Sequence, residues 1–385
     1  MAYEFTHGTG TPEDPYQVWT AEDLAGVNDH LDAHFVQKAD IDLASWGYWE
    51  TLGSWGTYFT GTYDGEGHTI QNLTCTGKDS DTEEKYEHYT GLFEYMDGAT
   101  VENLVMRNFV LEDSGGFSGC LSGWADDCTV RNIRVFNSSY SGEANCVGGL
   151  LGGVFNITME NVYVECDITY EETGWTTGTY IGGIFGELFL DNGSPEDTVE
   201  QVYYKGTINL NSGPGSHSGG FAGQVNAGSS DVVSIEQVGV DVTIASPEGA
   251  GNFLIGGFSG CFYGNVRLEN CYVRGQIDPG DASGADHVGG FIGDFSPVGD
   301  PVPGIVHHCY AAVEMLNGDA NNGPFIGSLW EDQYLAISED CYFDSEVSGY
   351  AEDASLAQPK TTAEMKNPAT YDGWDFETIW AIDTE

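Results

Sequence analysis

The sequence is poor in basic residues and has no long apolar segment. Lysine and arginine together number 11, against 61 aspartate and glutamate residues, which gives a formal net charge of −50. Because binding to nucleic acid or to anionic membranes depends on lysine and arginine, we exclude both as partners. No stretch approaches the ~18 consecutive apolar residues of a transmembrane helix, so we expect no membrane insertion.

The familiar signatures of catalysis and metal binding are also missing. The nine cysteines form no CxxC pair, and there is no zinc-like spacing, HExxH, GxSxG or Walker motif. We therefore predict no enzymatic activity, no cofactor and no dedicated metal site. A polysaccharide-cleaving carboxylate pair stays open as an alternative, although pairs such as Asp126–Asp127 are unavoidable among so many acids. The segment DSDTEE (79–84) leaves weak Ca²⁺ or Mg²⁺ binding open.

The N-terminal segment MAYEFTHGTG lacks both a basic region and an apolar region, so no secretory signal is present. Either a signal was removed before this start, or the chain does not use the secretory pathway. A methionine directly before the first structural segment favours the second interpretation.

We interpret Cys271, Cys309 and Cys341 as small buried hydrophobes. Disulfides among Cys120, Cys128 and Cys146 are the less favoured alternative.

The acidic residues are dispersed along the whole chain. Such a surface suits very saline surroundings, where screening shortens like-charge repulsion to a few ångströms. A halophilic organism, or a virus of one, is the preferred source. The alternative is a marine or extracellular acidic protein.

A glycine phrase recurs throughout the sequence. It reads CVGGLLGGVF, YIGGIFGELF, HSGGFAGQVN, LIGGFSGCFY and HVGGFIGDFS in five of its copies. The apolar anchor after its glycine positions is Leu92, Leu121, Leu150, Ile184, Phe221, Phe258, Phe291 and Phe325. Internal periods of about 20–50 residues indicate a solenoid or a propeller. We predict that the anchors point inward and stack, and that Gly-Gly allows close coil contact and positive φ. A phosphate-binding loop is rejected because no copy has the P-loop lysine.

A second phrase, such as TVENLVM, TVRNIRV or TMENVYV, follows each glycine phrase. Its short β-branched and aromatic segments predict strands. Asparagine occupies its central polar position in five copies, at Asn72, Asn103, Asn132, Asn161 and Asn270. Because asparagine tolerates tight turns and bonds stacked neighbours, we predict an asparagine ladder at a bend between strands.

Both phrases together resemble the GLUG-repeat family of β-helical surface proteins. The segment GTGTPEDPYQVWTAEDL (8–24) is similar to that family's opening segment, and FTGTYDGEGHTIQNL (59–73) is similar to its entry coil. The segment TTAEMKNPATYDGWDFETIWAID (361–383) is similar to its closing segment. The resemblance implies an all-β, single-stranded right-handed parallel β-helix of roughly eight to nine coils. We divide the chain into an N-terminal cap and first strand (1–45), β-helix repeats (46–345) and a C-terminal cap (346–385).

The ends of such a solenoid need caps, because terminal coils expose apolar interior and unpaired strand edges. Thr20 with Asp23 predicts a capping box that opens a short N-terminal helix. Thr362 through Met365 predicts another short helix near the C-terminus, where Trp374 and Trp380 are expected to seal the last coil.

Aromatic residues in the variable segments are candidates for surface recognition. Tyr86, Tyr170, Trp175 and Tyr180 would stack on sugar rings, and the alternative is local packing within loops.

We hypothesise a virion surface protein of a tailed virus of a halophilic host: a tail fibre, spike or capsid decoration. Its expected partners are other virion proteins and a host-surface glycan or S-layer, and a homotrimer is favoured by analogy. Its expected location is the virion surface after assembly in the host cytoplasm. The alternatives are a secreted cell-surface adhesin and a polysaccharide-degrading tailspike.

Overall fold

A computed structural model of the chain describes most of its 385 residues. The described ranges are 2–54, 56–76, 89–114, 116–171, 178–190, 197–211, 216–227, 233–246, 254–264, 266–280, 287–296, 306–317, 322–329 and 337–382. Tyr86, Trp175 and the acidic segment 79–84 lie outside the described residues.

An N-terminal segment and an opening coil precede the repeats. They comprise β1 (Tyr16–Val18), α1 (Ala21–Gly26), a 3-10 turn (Val27–Asp29), β2 (His34–Gln37), β3 (Ile41–Asp42), β4 (Thr62–Asp64), β5 (Thr69–Gln71) and β6 (Thr74–Thr76).

The repeats then contribute strands that recur in the same order in successive coils. They are β7 (Tyr89–Thr90), β8 (Phe93–Asp97), β9 (Thr100–Glu102), β10 (Val105–Arg107), β11 (Val110–Ser114), β12 (Phe117–Ser118), β13 (Ser122–Arg131), β14 (Arg134–Glu143), β15 (Cys146–Gly148), β16 (Leu151–Tyr170), β17 (Thr179–Gly182), β18 (Phe185–Leu190), β19 (Thr198–Leu210), β20 (Ser216–Gly219), β21 (Ala222–Ala227), β22 (Val233–Ala245), β23 (Leu254–Gly256), β24 (Ser259–Tyr263), β25 (Val266–Glu269), β26 (Tyr272–Asp278), β27 (His287–Gly289), β28 (Ile292–Ser296), β29 (Val306–His307), β30 (Tyr310–Met315), β31 (Asn322–Gly323) and β32 (Ile326–Leu329).

The C-terminal segment is mostly irregular. Its elements are β33 (Tyr342–Asp344), α2 (Ser345–Ser348), β34 (Gln358–Lys360), α3 (Thr362–Met365) and a 3-10 turn (Pro368–Thr370).

Strands at equivalent positions pair in parallel from one coil to the next. The glycine phrases form one eight-stranded sheet in the order β31-β27-β23-β20-β17-β15-β12-β7, and the other paired strands form a second, larger sheet. Within the glycine sheet Gly182 pairs with Gly219 and Gly219 with Gly256, so each phrase lies on its own next copy. This is the stacked-coil arrangement of a parallel β-helix, with successive strands about 4.8 Å apart. The predicted fold class is confirmed.

The apolar anchors of the glycine phrase form the central line of the core. All eight, from Leu92 through Phe325, have 0% exposed surface. The rings of Phe221, Phe258, Phe291 and Phe325 stack with centroid separations of 4.7, 4.9 and 4.8 Å. Each coil alone would leave its anchor exposed on both sides, so stacking is what buries this apolar surface.

The Gly-Gly pairs serve close contact and not positive φ, which corrects half of the prediction made for them. Gly148, Gly182 and Gly289 lie outside the left-handed region. A Cβ added at Gly182 would lie 1.9 Å from the carbonyl oxygen of Phe185. The third glycine of the phrase is also constrained, since a Cβ at Gly186 would lie 2.5 Å from the carbonyl oxygen of Gly152. The glycines of the phrase therefore allow direct backbone contact where the two sheets adjoin.

At the bends between strands, the left-handed backbone conformation is adopted mainly by residues with amide side chains. Asn103, Asn132, Asn161 and Asn270 have φ of 54°, 54°, 56° and 58°. Their column, here called the amide corner, continues through Gln201, Gln237 and His308, whose φ are 56°, 55° and 48°. The Nδ2 of Asn132 donates to the Oδ1 of Asn103 at 2.8 Å. A single left-handed residue thus makes the bend, and its amide links it to the next coil.

Asn72 belongs to a different column, so its predicted alignment with Asn103 is wrong. Arg107 pairs with Gln71, and the Nδ2 of Asn108 donates to the Oδ1 of Asn72 at 3.0 Å. The position equivalent to Asn103 in the opening coil lies beside Asp64, which accepts from the Nδ2 of Asn103 at 2.9 Å. The sequence similarity of TIQNL to TVENL conceals this displacement by one strand.

The N-terminal end is closed by α1 and an aromatic cluster. The predicted capping box is present, since Thr20 Oγ1 accepts from the Asp23 backbone N–H at 3.1 Å and Asp23 Oδ2 accepts from the Thr20 N–H at 3.1 Å. Phe5 stacks on Tyr16 at 4.5 Å, and both rings pack against the buried core residue Phe35. The first coil is therefore covered rather than open.

The C-terminal segment closes the other end and also lies along the side of the solenoid. Asp353 Oδ2 accepts from the backbone N–H groups of Phe325 and Ile326, which the last glycine phrase would otherwise leave unpaired. The helix Thr362–Met365 forms as predicted. Trp380, however, reaches back and donates from Nε1 to Asn270 Oδ1 at 3.1 Å. The tryptophans thus cover the outward rings of Tyr272 and Tyr310 as well as the end.

All nine cysteines are buried and unbridged. Burial raises the pKa of Cys128 to about 12 and that of Cys261 to about 12. Burial therefore favours the neutral thiol of Cys128 and Cys261. Cys271, Cys309 and Cys341 are buried among apolar core residues, as the sequence predicted.

Candidate functional site

A column of outward-facing residues runs parallel to the solenoid axis. Tyr48 bridges to Thr74, Thr74 pairs with Val110, and Val110 pairs with Ser139. The pairing continues in the same way through four further coils. This column, here called the floor, consists of Tyr48, Thr74, Val110, Ser139, Asp167, Thr207, Thr243 and Gln276.

A second column flanks the floor at the preceding corner of each coil. In the first coils it is made of left-handed asparagines, and in the later coils it is made of alternating charges. Glu165 pairs with Lys205, Lys205 with Asp241, and Asp241 with Arg274. This column, here called the rim, consists of Asn72, Asn108, Asn137, Glu165, Lys205, Asp241 and Arg274.

Floor and rim together enclose two adjoining cavities. The first, of about 640 Å³, is lined by Tyr48, Thr74, Val110, Asn72 and Asn108 among others. The second, of about 760 Å³, begins one coil later at Asn137 and Ser139 and continues to Arg274 and Gly275. Val110 of the first cavity pairs with Ser139 of the second, so the two adjoin along the axis over seven coil steps, about 34 Å at ~4.8 Å per step. The two cavities are here called the axial trough.

Two glycines in the later part of the trough are in close contact with the backbone of the neighbouring coil. A Cβ at Gly206 would lie 2.1 Å from the carbonyl oxygen of Cys166, and one at Gly275 would lie 1.8 Å from that of Val242. Larger residues at these corners would displace the backbone of the neighbouring coil. Glycine at these two positions therefore allows the backbones of neighbouring coils to be in contact beside the charged rim.

The charges at the rim and floor are fixed by hydrogen bonds. Asp241 accepts two bonds of 2.8 Å from the guanidinium of Arg274 and one from the hydroxyl of Tyr203. The Asp241 carboxylate raises the pKa of Arg274. Asp167 accepts from the backbone N–H and the hydroxyl of Thr207 at 2.9 and 2.8 Å. The side chains are thus held in place as hydrogen-bonding groups.

An exposed aromatic ring stands at the start of the trough. Tyr48 is 68% exposed, the highest value among the exposed large apolar or aromatic residues of the described chain. Trp46, two residues earlier, is 37% exposed, and Val110 on the floor is also 37% exposed. The backbone beneath Tyr48 is fixed, because the Trp49 N–H donates to the Thr74 carbonyl at 2.7 Å. The sequence hypothesis did not include these residues, although the aromatic density of SWGYWETLGSWGTYF (45–59) could have indicated them.

A second cluster of titratable groups lies where the glycine sheet meets the larger sheet. Burial raises the pKa of Glu187 to about 7. Its Oε1 accepts from Gln224 Nε2 at 3.2 Å, and Gln224 Oε1 contacts His217 Nδ1 at 3.0 Å. Burial lowers the pKa of His217. Glu187 is therefore positioned to carry a proton at moderately acidic pH.

The nearest buried carboxylate on the same column is too distant to act with Glu187 in glycoside cleavage. Glu187 pairs with Gln224, Gln224 with Cys261, and Cys261 with Asp294. Three coil steps of ~4.8 Å give about 14 Å, whereas glycosidase carboxylates lie roughly 5–9.5 Å apart.

The two predicted recognition residues that the structure describes do not form a common surface. Tyr170 is only 1% exposed, so its predicted stacking on a sugar is wrong: it is an inward residue of β16. Tyr180 is half-buried, and its ring packs edge-on against His217 at 5.2 Å. A sugar-binding role for Tyr180 stays a prediction.

Within the described ranges, no group of three or more histidine, cysteine or acidic side chains is arranged to hold a metal ion. The helices seen in those ranges are also too short and polar to cross a lipid bilayer.

Comparisons with known proteins connect the chain to proteins larger than itself. No protein-family model matches it. It is 31% identical to halomucin of Haloquadratum walsbyi over 164 residues, which are 38% of this chain and 2% of halomucin. It is 27% identical to a protein of Evansella cellulosilytica named as a candidate Gly-rich membrane protein, over 99% of this chain and 45% of that protein. The chain thus spans less than half the length of each of these relatives.

A solved structure shares the fold at low sequence identity, and a second is less similar. An IgA1 protease matches with a TM-score of 0.50 and 13% identity, over 96% of this chain and 25% of that chain. A candidate immunoglobulin A1 protease from Bacteroides ovatus matches with a TM-score of 0.42 and 18% identity, over 76% of this chain and 86% of that chain. At 13% identity the likeness to the IgA1 protease concerns the fold alone.

Proposed function

We propose that this chain is a rigid, salt-adapted attachment module displayed on a surface. The observation that carries the proposal is a column of glutamates in parallel register on the outside of the solenoid. Glu160 pairs with Glu200, Glu200 with Glu236, and Glu236 with Glu269. Like charges one coil apart repel one another in dilute solution, and concentrated salt screens that repulsion.

Rigidity supports the same function. A solenoid with a continuous core and covered ends holds its outer faces at fixed positions over the whole length of the stack. The similarity to part of halomucin, a protein of Haloquadratum walsbyi, supports a role as a surface module. We propose that the chain acts by binding and not by catalysis.

The more specific proposal is display on a virion of a halophilic host, as a tail fibre, spike or capsid decoration. In that setting the module would associate with other virion proteins, as a homotrimer, and contact a glycan or S-layer of the host. The repeat architecture and its resemblance to GLUG-repeat proteins motivate this choice.

A cell-surface adhesin is the second candidate. The similarity to the candidate Gly-rich membrane protein favours it, because that similarity extends over 99% of this chain. The chain would then be one module of a longer envelope protein.

Antibody labelling of intact cells and purified particles, imaged by cryo-electron microscopy at native salt, tests the proposal. Label on particles supports virion display, and label on the envelope alone supports the adhesin. Label confined to the cell interior contradicts a surface function. Release of reducing ends from envelope polysaccharide by the purified protein would contradict the non-catalytic assignment.

A further inference from the structure

We propose that the axial trough binds one extended, uncharged polysaccharide chain along the solenoid axis, with Tyr48 stacking on a sugar ring at one end. This inference rests on the proposed attachment function and names the ligand class that the module would take.

The polarity of the trough matches a hydroxyl-rich polymer. The floor has hydroxyl groups at Ser139, Thr207 and Thr243, and the rim has amides at Asn72 and Asn108. Sugar hydroxyls both donate and accept, so they need donors and acceptors close together. The alternating acids and bases of the rim provide both, one coil step apart.

The charge of the trough disfavours polymeric ions. Lys205 and Arg274 face Glu165, Asp167 and Asp241, and Arg274 is already paired with Asp241. The positive and negative charges of these five residues nearly cancel, whereas the whole chain has a formal net charge of −50. A polyanion would find no excess of cations there, and a polycation would be attracted equally to other parts of the acidic surface.

The fold also disfavours a peptide. Extended peptides usually bind by pairing with a free strand edge or by filling apolar pockets. The strands from β11 to β26 that carry most of the floor pair with the coils on both sides, so no edge is free along that part. Val110 is the one aliphatic side chain on the floor.

Tyr48 provides the apolar contact that polar grooves for sugars need. The residue is 68% exposed, while its bridge to Thr74 holds its backbone in place. A sugar ring that covers this surface would bury apolar area on both partners and leave the hydroxyls in contact with the amides of the rim. The floor then continues for seven coil steps, so affinity should increase with the length of the chain.

The test measures binding of the full chain to polysaccharides in concentrated NaCl by isothermal titration calorimetry. The probes are dextran, laminarin and galactomannan as uncharged polymers, with polygalacturonate and chitosan as charged comparators. We expect at least one uncharged polymer to bind, and its longer fragments to bind more tightly than its disaccharide. No binding by any uncharged polymer, or binding by a charged comparator alone, would overturn the assignment.

Two variants locate the site. Tyr48→Ala should weaken binding about fivefold through the lost stacking. Thr243→Trp should obstruct the far part of the trough and weaken long fragments at least tenfold while short fragments are unaffected. The matched controls are Trp19→Ala, an exposed aromatic outside the trough at 46% exposure, and Thr198→Trp, an exposed strand residue on another face. Equal effects of variants and controls would refute the location, provided that circular dichroism shows all four variants folded.

The two proposals fail separately. Surface labelling without polysaccharide binding would leave the attachment function standing and remove the trough as its site. Polysaccharide binding by a protein found only inside the cell would support the trough as a binding site and contradict the attachment function.

Discussion

The side-chain amide of Asn161 donates from Nδ2 to the Oδ1 of Asn132 at 2.6 Å, across one coil step. Both residues are in the left-handed conformation, with φ of 56° and 54°. The same two features recur one coil earlier between Asn132 and Asn103. Asparagine therefore does two things at the amide corner: it makes the bend at a modest steric cost, and it bonds the bend to its neighbour.

Replacing Asn132 should separate these two contributions. Asn132→Gly keeps the left-handed bend and loses two amide hydrogen bonds, and should lower the free energy of unfolding by about 1 kcal/mol. Asn132→Ala loses the same bonds and leaves in the left-handed region a residue that, unlike glycine or asparagine, adopts it at a steric cost, so it should cost about 2 kcal/mol. Chemical denaturation followed by circular dichroism measures both. An alanine variant as stable as the glycine variant would show that the backbone conformation contributes nothing.

The glycine phrase should not tolerate a methyl group. Gly182→Ala would place Cβ 1.9 Å from the Phe185 carbonyl oxygen and 2.7 Å from the Ala222 Cα, both backbone atoms. We expect a loss above about 3 kcal/mol or failure to fold. Gly67→Ala is the control, because Gly67 has φ of 81° and no heavy atom within 4 Å of the added Cβ. It should cost about 1 kcal/mol, from backbone conformation alone. Similar losses in both variants would contradict the close-contact explanation.

The glutamate column should make stability depend on salt at one defined position. Glu200 has Glu160 and Glu236 in register on its two sides. Glu200→Gln should raise the free energy of unfolding by about 0.5 kcal/mol in dilute buffer, because it removes two like-charge contacts. In multimolar KCl the gain should vanish, since screening then acts within a few ångströms. A gain of the same size at every salt concentration would point to packing instead of charge.

Glu187 should make stability depend on pH. Its pKa in the folded protein is about 7, against a model-peptide value of 4.5, so the folded state holds a proton that the unfolded state releases. The contribution to stability is complete below the unfolded value and is lost as pH rises through about 7. The difference between the two values corresponds to roughly 3 kcal/mol as an upper bound.

Glu187→Gln should remove this loss, because glutamine carries no titrating proton and keeps the shape of the side chain. Denaturation midpoints between acid and neutral pH, at constant high salt, measure the difference between the variant and the native chain. Glu112→Gln, at an exposed position of β11, is the matched control and should keep the native pH profile. A pH profile for Glu187→Gln that coincides with that of the native chain would mean that Glu187 is not the responsible group.

The repeats were readable from the sequence because the same contact is made in each coil. A phrase such as GGIFG is required wherever two backbones meet, so selection for that contact leaves the same residues at each copy. The capping box of Thr20 and Asp23 and the helix at Thr362 were predictable for a similar reason, since both depend on residues three or four positions apart. Patterns that depend on residues a few positions apart can be recognised from a short stretch of sequence alone.

The register of Asn72 was not readable from its own phrase. TIQNL and TVENL have the same local pattern, and only the pairing of Arg107 with Gln71 shows that Asn72 lies beneath Asn108. Tyr170 was misassigned for a related reason, because the inward or outward direction of a strand residue reverses with a shift of one position.

The sequence by itself determined the stacked-coil architecture, the apolar line from Leu92 to Phe325 and the acidic exterior, because these follow from residue type and period. The tertiary structure alone decided which distant outward residues share one column. Tyr48, Val110, Thr207 and Gln276 are far apart along the chain and share no motif, and parallel register over successive coils aligns them in one trough. Loop lengths between the phrases set that register, and no local pattern encodes the sum of those lengths.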